Sequence, residues 1–311
     1  MRYIYFILFM VFFSTLSKYM IAQDVQIQKI KNETEKALKK EKDQPEGWTK
    51  GGVFNLNLSQ GASRNWAAGA EKSSFSVNAI VNAYIYYKKD KSTWDNTLNT
   101  QYGIVSATSI GTRKNDDRID ALSRYGYQLG KGHIYLTALA NLRTQFTDGF
   151  DYGTVPSKTK NSSFFAPAYL LVSPGLAYKP NAEFDIFLSP VTSRWVIVNN
   201  ANAGLRPLFR IDSGKIATSE IGAFATINLK KEIAKNIKLT SRMDLFSNYR
   251  NNPQNIDVFW TNVINMRVNK YISVTYNFDL IYDHDIKAVN NQGVLGTQLK
   301  SLLGVGFSAA F

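Results

Sequence analysis

The residues of this chain best suited to acid–base or metal chemistry are two histidines and two acidic triplets. A serine hydrolase needs a histidine base beside its nucleophile, and His133 and His284 are the two histidines of the sequence. His284 is the centre of residues 283–285 (Asp-His-Asp), which, like residues 115–117 (Asn-Asp-Asp), could also bind a divalent cation. Neither triplet has a fixed ligand spacing, and no serine partner is identifiable. A hydrolase at the membrane surface that uses His284 is thus only an alternative reading of the sequence. No metal ion or cofactor is predicted.

Other kinds of chemistry are excluded by composition. The chain has 311 residues and no cysteine, which rules out thiolate zinc sites, iron–sulfur clusters and thiol catalysis. It has no glycine-rich phosphate loop or dinucleotide fingerprint. What the remaining polar side chains can do depends on the strands and loops that position them.

The first 22 residues have the organisation of a secretory signal peptide. Arg2 precedes an apolar run at 3–13, a small polar stretch follows at 14–17, and Ala22 ends the segment. The apolar run is short for a helix that crosses a bilayer, which disfavours an uncleaved anchor. We expect cleavage near Ala22 and export of the mature protein to the outer membrane.

Residues 23–47 have a different composition, rich in Lys, Glu and Gln. Their apolar residues are few and only loosely spaced as in a helix, and Pro45 ends the segment. We interpret 23–47 as a helical or disordered periplasmic tether. A plug that enters a barrel lumen and a contact with another envelope protein are the alternatives.

From residue 48 to residue 311 the hydrophobic period becomes two, which indicates β-strands with one apolar and one polar face. The odd positions of 75–87 are apolar, for example, whereas Ser76, Asn78 and Asn82 lie between them. Similar segments predict about twelve strands. Pro174 and Pro190 would interrupt two of them, so we expect a kink or bulge there.

The connections between these strands alternate in length. Short connections are predicted at 88–92, 130–132, 179–181, 231–236 and 270. Longer polar loops are predicted at 61–72, 107–116, 147–163, 195–215, 250–255 and 284–296. Short turns at one end, long loops at the other and an even strand number are typical of an all-β transmembrane antiparallel barrel with both termini in the periplasm.

Aromatic residues on the apolar face concentrate near both ends of the strands, as expected for rings at two lipid–water interfaces. Near the short turns are Tyr87, Trp94, Tyr127, Tyr178 and Phe184, and near the long loops are Phe75, Phe146, Tyr249 and Tyr282. The terminal segment with Phe307 and Phe311 resembles the signal by which the barrel-assembly machinery recognises outer-membrane barrels. We therefore expect that machinery to be a partner.

Several segments between about residue 51 and residue 190 also resemble a known family. They are 65–69 (NWAAG), 114–118 (KNDDR), 124–127 (RYGY), 143–146 (RTQF), 166–170 (APAYL), 178–180 (YKP) and 188–190 (LSP). Their order and spacing are similar to those of the Bacteroidota outer-membrane family catalogued as domain of unknown function 3078. Ala70 replaces an expected glycine, and Pro174 stands where no proline is expected. The resemblance implies an outer-membrane barrel and assigns no catalytic or ligand-binding residue.

The net charge of +13 would ordinarily suggest nucleic acid as a partner. The excess, however, falls at the two predicted rims, for example at Lys179 in a short turn and Arg194 in a long loop. Basic rims beside phosphate headgroups are electrostatically favourable. We therefore expect outer-membrane lipid and lipopolysaccharide as partners and no nucleic acid.

The alternation predicts which charged side chains face the lumen. The candidate lumen-lining residues are Asp95, Asp120, Arg124, Arg143, Asp185, Glu220, Arg242, Asp244, Asp257, Arg267, Asp279 and Lys300. Spaced around the wall, they would leave a water-filled passage; paired across a narrow interior, they would close it. The sequence thus predicts a channel or passive transporter for small solutes or ions. A closed structural or surface-binding barrel is the main alternative.

Overall fold

The computed structural model describes residues 46–62, 73–152, 158–269, 271–282 and 297–310. The strands are β1 Gly47–Ala62, β2 Ser73–Lys89, β3 Ser92–Ala107, β4 Gly111–Gln128, β5 Ile134–Thr144, β6 Gly149–Asp151, β7 Thr159–Ser162, β8 Ala168–Tyr178, β9 Phe184–Ile197, β10 Ala217–Ala234, β11 Ile237–Asn248, β12 Ile256–Arg267, β13 Ile272–Tyr282 and β14 Gln298–Ala310. All except β6 and β7 form one closed antiparallel barrel, in which each strand pairs with its neighbours and β14 returns to β1. The predicted barrel of about twelve strands is confirmed.

The two faces of the barrel wall have opposite chemistry. Leu136 on β5 points outward with 56% of its surface exposed, whereas Asn78 on β2 points inward and is 4% exposed. The same contrast holds around the barrel, because side chains alternate between the faces. A wall with apolar side chains outside and polar ones inside is suited to lipid rather than to water.

The two prolines within strands lie at irregularities of the sheet. The β8–β9 register shifts around Pro174, and the β9–β10 register shifts opposite Pro190. The Ser189 hydroxyl donates to the Pro174 carbonyl at 2.6 Å, and the hydroxyls of Ser173 and Thr192 are hydrogen-bonded at 2.6 Å. Buried hydroxyls thus satisfy backbone groups where the ladder is interrupted, and the expected bulge is confirmed.

The prediction of one of the long loops is wrong. Residues 107–116 were expected to connect two strands, but β3 ends at Ala107 and β4 already begins at Gly111. The two strands extend beyond the apolar band, where both faces of β4 are polar, and the alternation signal therefore disappears. Gly111 has a φ of 68°, which permits the tight turn.

Two other predicted loops contain regular structure. Segment 147–163 includes the β6–β7 hairpin, and β9 runs to Ile197, beyond the predicted loop start at residue 195. A 3₁₀ segment, Asn200–Phe209, follows β9 and is capped by the Asn199 side chain. The long loops are therefore folded on the rim of the barrel in these places.

Aromatic rings gather on the outer surface at the short-turn end. Trp48 packs against Tyr87 and Trp94, with ring centroids 4.9 and 5.9 Å apart, and Tyr271 stacks on Phe307 at 5.9 Å. At the other end, Tyr102 and Phe146 meet edge to face at 6.4 Å. These two levels of aromatic contact suit the two lipid–water interfaces.

Some sequence-based predictions concern residues outside the described ranges. They include the signal peptide at 1–22, the tether except for its last two residues, the triplet around His284 and the terminal Phe311. Within the described ranges, no helix is long and apolar enough to cross a membrane.

Candidate functional site: the barrel interior

The interior is crossed by ion pairs between strands that are not neighbours in the wall. Arg143 on β5 contacts Asp120 on adjacent β4, with Nε 3.0 Å from the carboxylate, and also pairs with Asp244 on β11. Because β8, β9 and β10 separate β5 from β11, the second contact spans the lumen. Charged side chains can make such contacts only if they point inward.

Arg242 completes a compact group around these carboxylates. Its Nε lies 2.9 Å from Asp244, and its Nη1 lies 3.6 Å from Asp120. Asn141 donates a hydrogen bond of 2.6 Å to Asp120. We name Asp120, Arg143, Arg242 and Asp244 the central cluster; its two cations and two carboxylates balance.

A second balanced group lies nearer the short turns. Arg124 on β4 contacts Asp95 on β3 at 3.2 Å and Asp185 on β9 at 2.8 Å. Lys179, which we expected at the rim, is buried instead with Nζ 3.7 Å from Asp95. Tyr178 faces outward, so alternation beyond the end of β8 turns the next side chain inward. We name Asp95, Arg124, Lys179 and Asp185 the lower cluster.

Arg194 corrects another expectation, since it lies inside the barrel on β9 rather than in a long loop. It contacts Glu220 on β10 at 2.5 Å and Asp257 on β12 at 2.8 Å, and its guanidinium lies 4.1 Å from the centre of the Phe246 ring. The contact to β12 bypasses two strands. Sequence analysis missed it because β9 continues past its expected end.

Two further ion pairs link β4 to the opposite side of the barrel. Arg118 is 3.5 Å from Asp279 on β13, and Asp116 is 2.6 Å from Lys300 on β14. Of the predicted lumen-lining residues, all but Arg267 take part in the contacts given above. Arg267 lies at the short-turn end of β12, where its backbone N–H donates to the Asn236 carbonyl.

An apolar cluster also lies inside the barrel, and the sequence analysis did not foresee it. Its buried members are Leu139, Ala177, Phe187, Phe224 and Phe246, contributed by β5, β8, β9, β10 and β11. The signal was present in β9, which begins Phe-Asp-Ile-Phe-Leu and is apolar on both faces around Phe187. Together with the two clusters, these side chains fill this side of the interior, which we name the charged half (β3 to β12).

The opposite wall, on β13, β14, β1 and β2, carries mainly small polar side chains and glycines, together with Asp279 and Lys300 of the ion pairs above. We name it the amide half; its buried inward residues include Asn55, Asn57, Asn78, Ser273, Thr275 and Asn277, and Ile80 and Tyr86 of β2 are buried there as well. Asn57 lies directly opposite Asn78 on one side and Gly306 on the other, and Gly306 is opposite Ser273. A Cβ atom at Gly304 would lie 2.7 Å from the Asn57 side chain, so this amide lies flat over the glycine.

Several buried polar atoms of the amide half have no hydrogen-bond partner among the described residues. Among the described residues, no hydrogen-bond partner reaches the side-chain oxygens of Asn55, Asn57, Asn78 and Asn277. An unsatisfied buried polar group costs about 1–3 kcal/mol. The wall is therefore better suited to contact with water or polar solute than to a dry, permanently packed interior.

A cup of about 1060 Å³ opens above the charged half on the long-loop side. Its floor includes Arg143, Asp244 and Phe259, and its sides include the β6–β7 hairpin and the 3₁₀ segment. The latter is held by apolar packing of Leu205 and Phe209 against a small buried cluster. Folded loops therefore give the cup a defined shape.

A hydrogen bond from the Ser163 hydroxyl, assisted by Lys160, anchors the hairpin at Asp148. The same two groups hold the pKa of the Asp148 carboxyl below its ordinary value. Asp148 thus remains charged at neutral pH and ties the hairpin ends together.

The described acidic triplet and histidine have structural contacts. Asp117 accepts hydrogen bonds from the backbone N–H groups of Phe146 and Thr147 at 2.7 and 3.0 Å. His133 lies at the short-turn end, with its ring 6.4 Å from that of Tyr178. In the part of the chain that the structure describes, no group of three or more His, Asp or Glu side chains is placed to hold a metal ion.

The fold and its two faces define a membrane-spanning antiparallel β-barrel with a polar interior. Residues 58–150 match the family described as a protein of unknown function, DUF3078, which confirms the family resemblance over that segment. A comparison with curated protein sequences finds no match.

Solved outer-membrane proteins resemble the chain at low sequence identity. The COG4313 outer membrane channel from Pseudomonas putida F1 is 10% identical, with a TM-score of 0.39, over 86% of this chain and 97% of its own. The NalP autotransporter translocator domain from Neisseria meningitidis is 10% identical, with a TM-score of 0.35, over 92% and 96%. The NanC porin is 9% identical, with a TM-score of 0.38, over 82% and 98%.

Proposed function

We propose that this protein is an outer-membrane channel or passive transporter for small solutes or ions. The observation that carries the proposal is the inward face, which has polar or charged side chains on every barrel strand beside one apolar cluster, and on which several buried amide atoms have no hydrogen-bond partner among the described residues. Such a face is costly in a dry core and favourable beside water. The cup is the outer entrance in this proposal, and the central and lower clusters form the constriction.

The charges of the constriction indicate the kind of solute. Each of the two clusters pairs two cations with two carboxylates, so neither presents an uncompensated field to a passing solute. Small neutral or zwitterionic solutes fit this balance better than strongly charged ones, because a charged solute must break a pair to gain one.

A closed barrel that binds ligands at its surface is the second candidate. It is favoured by the ion pair between Arg143 and Asp244, which spans the lumen, and by the apolar side chains packed beneath it. In that case the cup is a binding site with no exit below.

Solute flux separates the two candidates. Full-length protein reconstituted in liposomes should allow glycine and glycerol to enter, measured as swelling in iso-osmotic solution. A larger trisaccharide should be excluded. Liposomes with folded protein that swell no faster than protein-free liposomes in either solute would favour the closed barrel.

Export, location and assembly complete the proposal. We propose cleavage near Ala22, insertion with the short turns in the periplasm, and recognition of the terminal Phe311 by the barrel-assembly machinery. Lipopolysaccharide contacts the long-loop rim in this arrangement. Intact-mass measurement of protein from isolated outer membranes should show a mature N-terminus near residue 23, and recovery from the soluble periplasm would contradict the placement.

A further inference from the structure

A pit on the outer surface of the barrel, at the short-turn end of β2, β3 and β4, is not used by the passage. It has a volume of about 450 Å³ and is lined by Tyr87, Lys89, Asp90, Lys91, Ser92, Tyr125 and Tyr127. The outward side chains around it are aromatic or long, whereas Ser92 is small. The pit therefore forms where one small residue interrupts the aromatic surface.

The strand register fixes this arrangement. Ser92 lies directly opposite Lys89 on β2 and Tyr127 on β4, and the neighbouring outward row is Tyr87, Trp94 and Tyr125. The Tyr125 hydroxyl donates to the Ser92 hydroxyl at 3.2 Å. The pit thus has a polar floor and aromatic walls.

The turn above the pit places opposite charges at its mouth. Lys89, Asp90 and Lys91 are all exposed, and Asp90 has a left-handed φ of 49°. The backbone N–H of Asp90 donates to the Glu46 carboxylate at 3.1 Å, which fixes the turn. Two ammonium groups and the Asp90 carboxylate therefore lie within one tight turn, and the Glu46 carboxylate lies against its backbone.

This combination suits one kind of headgroup. Two lysines suit a phosphate, the Asp90 carboxylate suits an ammonium, and the tyrosine faces attract cations and pack on apolar chains. The rings of Trp48, Tyr87 and Trp94 pack against one another at a tilt beside the pit, which suits an aromatic membrane interface.

We propose that this pit binds the headgroup of one ethanolamine phospholipid from the periplasmic leaflet. The phosphate lies between Lys89 and Lys91, the ammonium pairs with Asp90, and the acyl chains follow the outer wall. The proposal rests on the orientation of the barrel in the membrane and does not require that the barrel conduct solutes.

Native mass spectrometry of the full-length protein in detergent tests the site with phosphatidylethanolamine as the probe. We expect one retained lipid in the wild type. Lys89→Ala/Lys91→Ala should weaken its binding at least tenfold, and Ser92→Leu, which fills the pit and leaves its charges, should do the same.

Two controls match these variants on the other side of the barrel. Lys231→Ala/Lys235→Ala removes two exposed lysines at another short turn, and Ala225→Leu enlarges an outward side chain on β10. Both should retain the lipid. Equal loss in variants and controls, or retention by Ser92→Leu, would overturn the site.

The choice of headgroup is tested separately with phosphatidylglycerol, which has the phosphate and lacks the ammonium. The wild type should prefer phosphatidylethanolamine, and Asp90→Asn should reverse the preference. Equal binding of both lipids to the wild type would overturn the assignment of Asp90 to the ammonium.

Discussion

The charged half and the amide half of the interior satisfy their polar groups in different ways. In the charged half, each long cation reaches carboxylates on its own, an adjacent or a distant strand; Arg124, for example, contacts Asp95 on the adjacent strand and Asp185 on a distant one. In the amide half, Asn57 and Asn78 face each other, and no partner among the described residues reaches their side-chain oxygens. The first is a packed and mutually dependent network, and the second is a thin wall of independent groups. Removing one side chain should therefore destabilise the barrel much more in the charged half than in the amide half.

The largest difference is expected between Arg143→Ala and Asn57→Ala. The first leaves Asp120 and Asp244 buried with one cation fewer and should destabilise the barrel by about 3 kcal/mol. The second removes an amide that has no hydrogen-bond partner among the described residues and should cost about 1 kcal/mol or less. Urea unfolding in lipid vesicles, monitored by tryptophan fluorescence, measures both; similar losses would refute the division into two halves.

That division was only partly predictable from sequence. Alternation gives the facing of each side chain, because a strand has a period of two, and it therefore identified Arg124 and Asp185 as inward. It does not give the distance across a closed barrel, which depends on strand tilt and stagger. The pairing of β4 with β9 through Arg124 and Asp185 consequently required the structure.

Two of the remaining errors arose at strand ends, and a third arose from an apolar residue that faces inward. Lys179 and Arg194 were assigned to rims because the apolar signal fades where strands leave the membrane, yet backbone alternation continues. Phe187 was missed because an inward apolar residue in β9 makes both faces look alike. Local pattern fails at such positions because burial there is decided by distant strands.

The next largest effect concerns two consecutive residues of β13. Tyr276 faces lipid and Asn277 faces the lumen, so Tyr276→Arg should cost about 2–4 kcal/mol near mid-membrane. Asn277→Arg should cost less, because the guanidinium has Asp279 two positions away on the same face. It should also shift any conductance towards anions. Equal destabilisation in the urea assay would disprove the facing of this strand.

A smaller effect is expected from two glycines of β14. A Cβ at Gly306 would overlap the Leu56 carbonyl oxygen, which is backbone, whereas the three atoms nearest to one at Gly304 all belong to the Asn57 side chain. Gly306→Ala should therefore cost about 2 kcal/mol, and Gly304→Ala less. Adding Asn57→Gly, which removes all three side-chain atoms nearest to that Cβ, should rescue Gly304→Ala and leave Gly306→Ala unchanged; rescue of both or of neither would contradict this packing of Asn57 over Gly304.

The smallest effect concerns the hairpin at the cup. Because the pKa of Asp148 is lowered, its bonds with Ser163 and Lys160 should persist at neutral pH and be lost only as pH falls through that lowered value. Asp148→Asn should increase hydrogen exchange in β6–β7 at pH 7, and the two proteins should converge at strongly acidic pH. A difference that is independent of pH would exclude the carboxylate as the anchor.

Single-channel recording in planar bilayers tests the central claim, that the charged half is the constriction of a passage. Wild-type protein should give stepwise openings. The double variant Arg143→Ser/Asp244→Ser leaves the net charge unchanged and replaces the two long side chains that meet across the lumen with short ones. Once its folding is verified by circular dichroism, it should give larger conductance steps than the wild type. Silent membrane records from both folded proteins would contradict the account, as would steps of identical size.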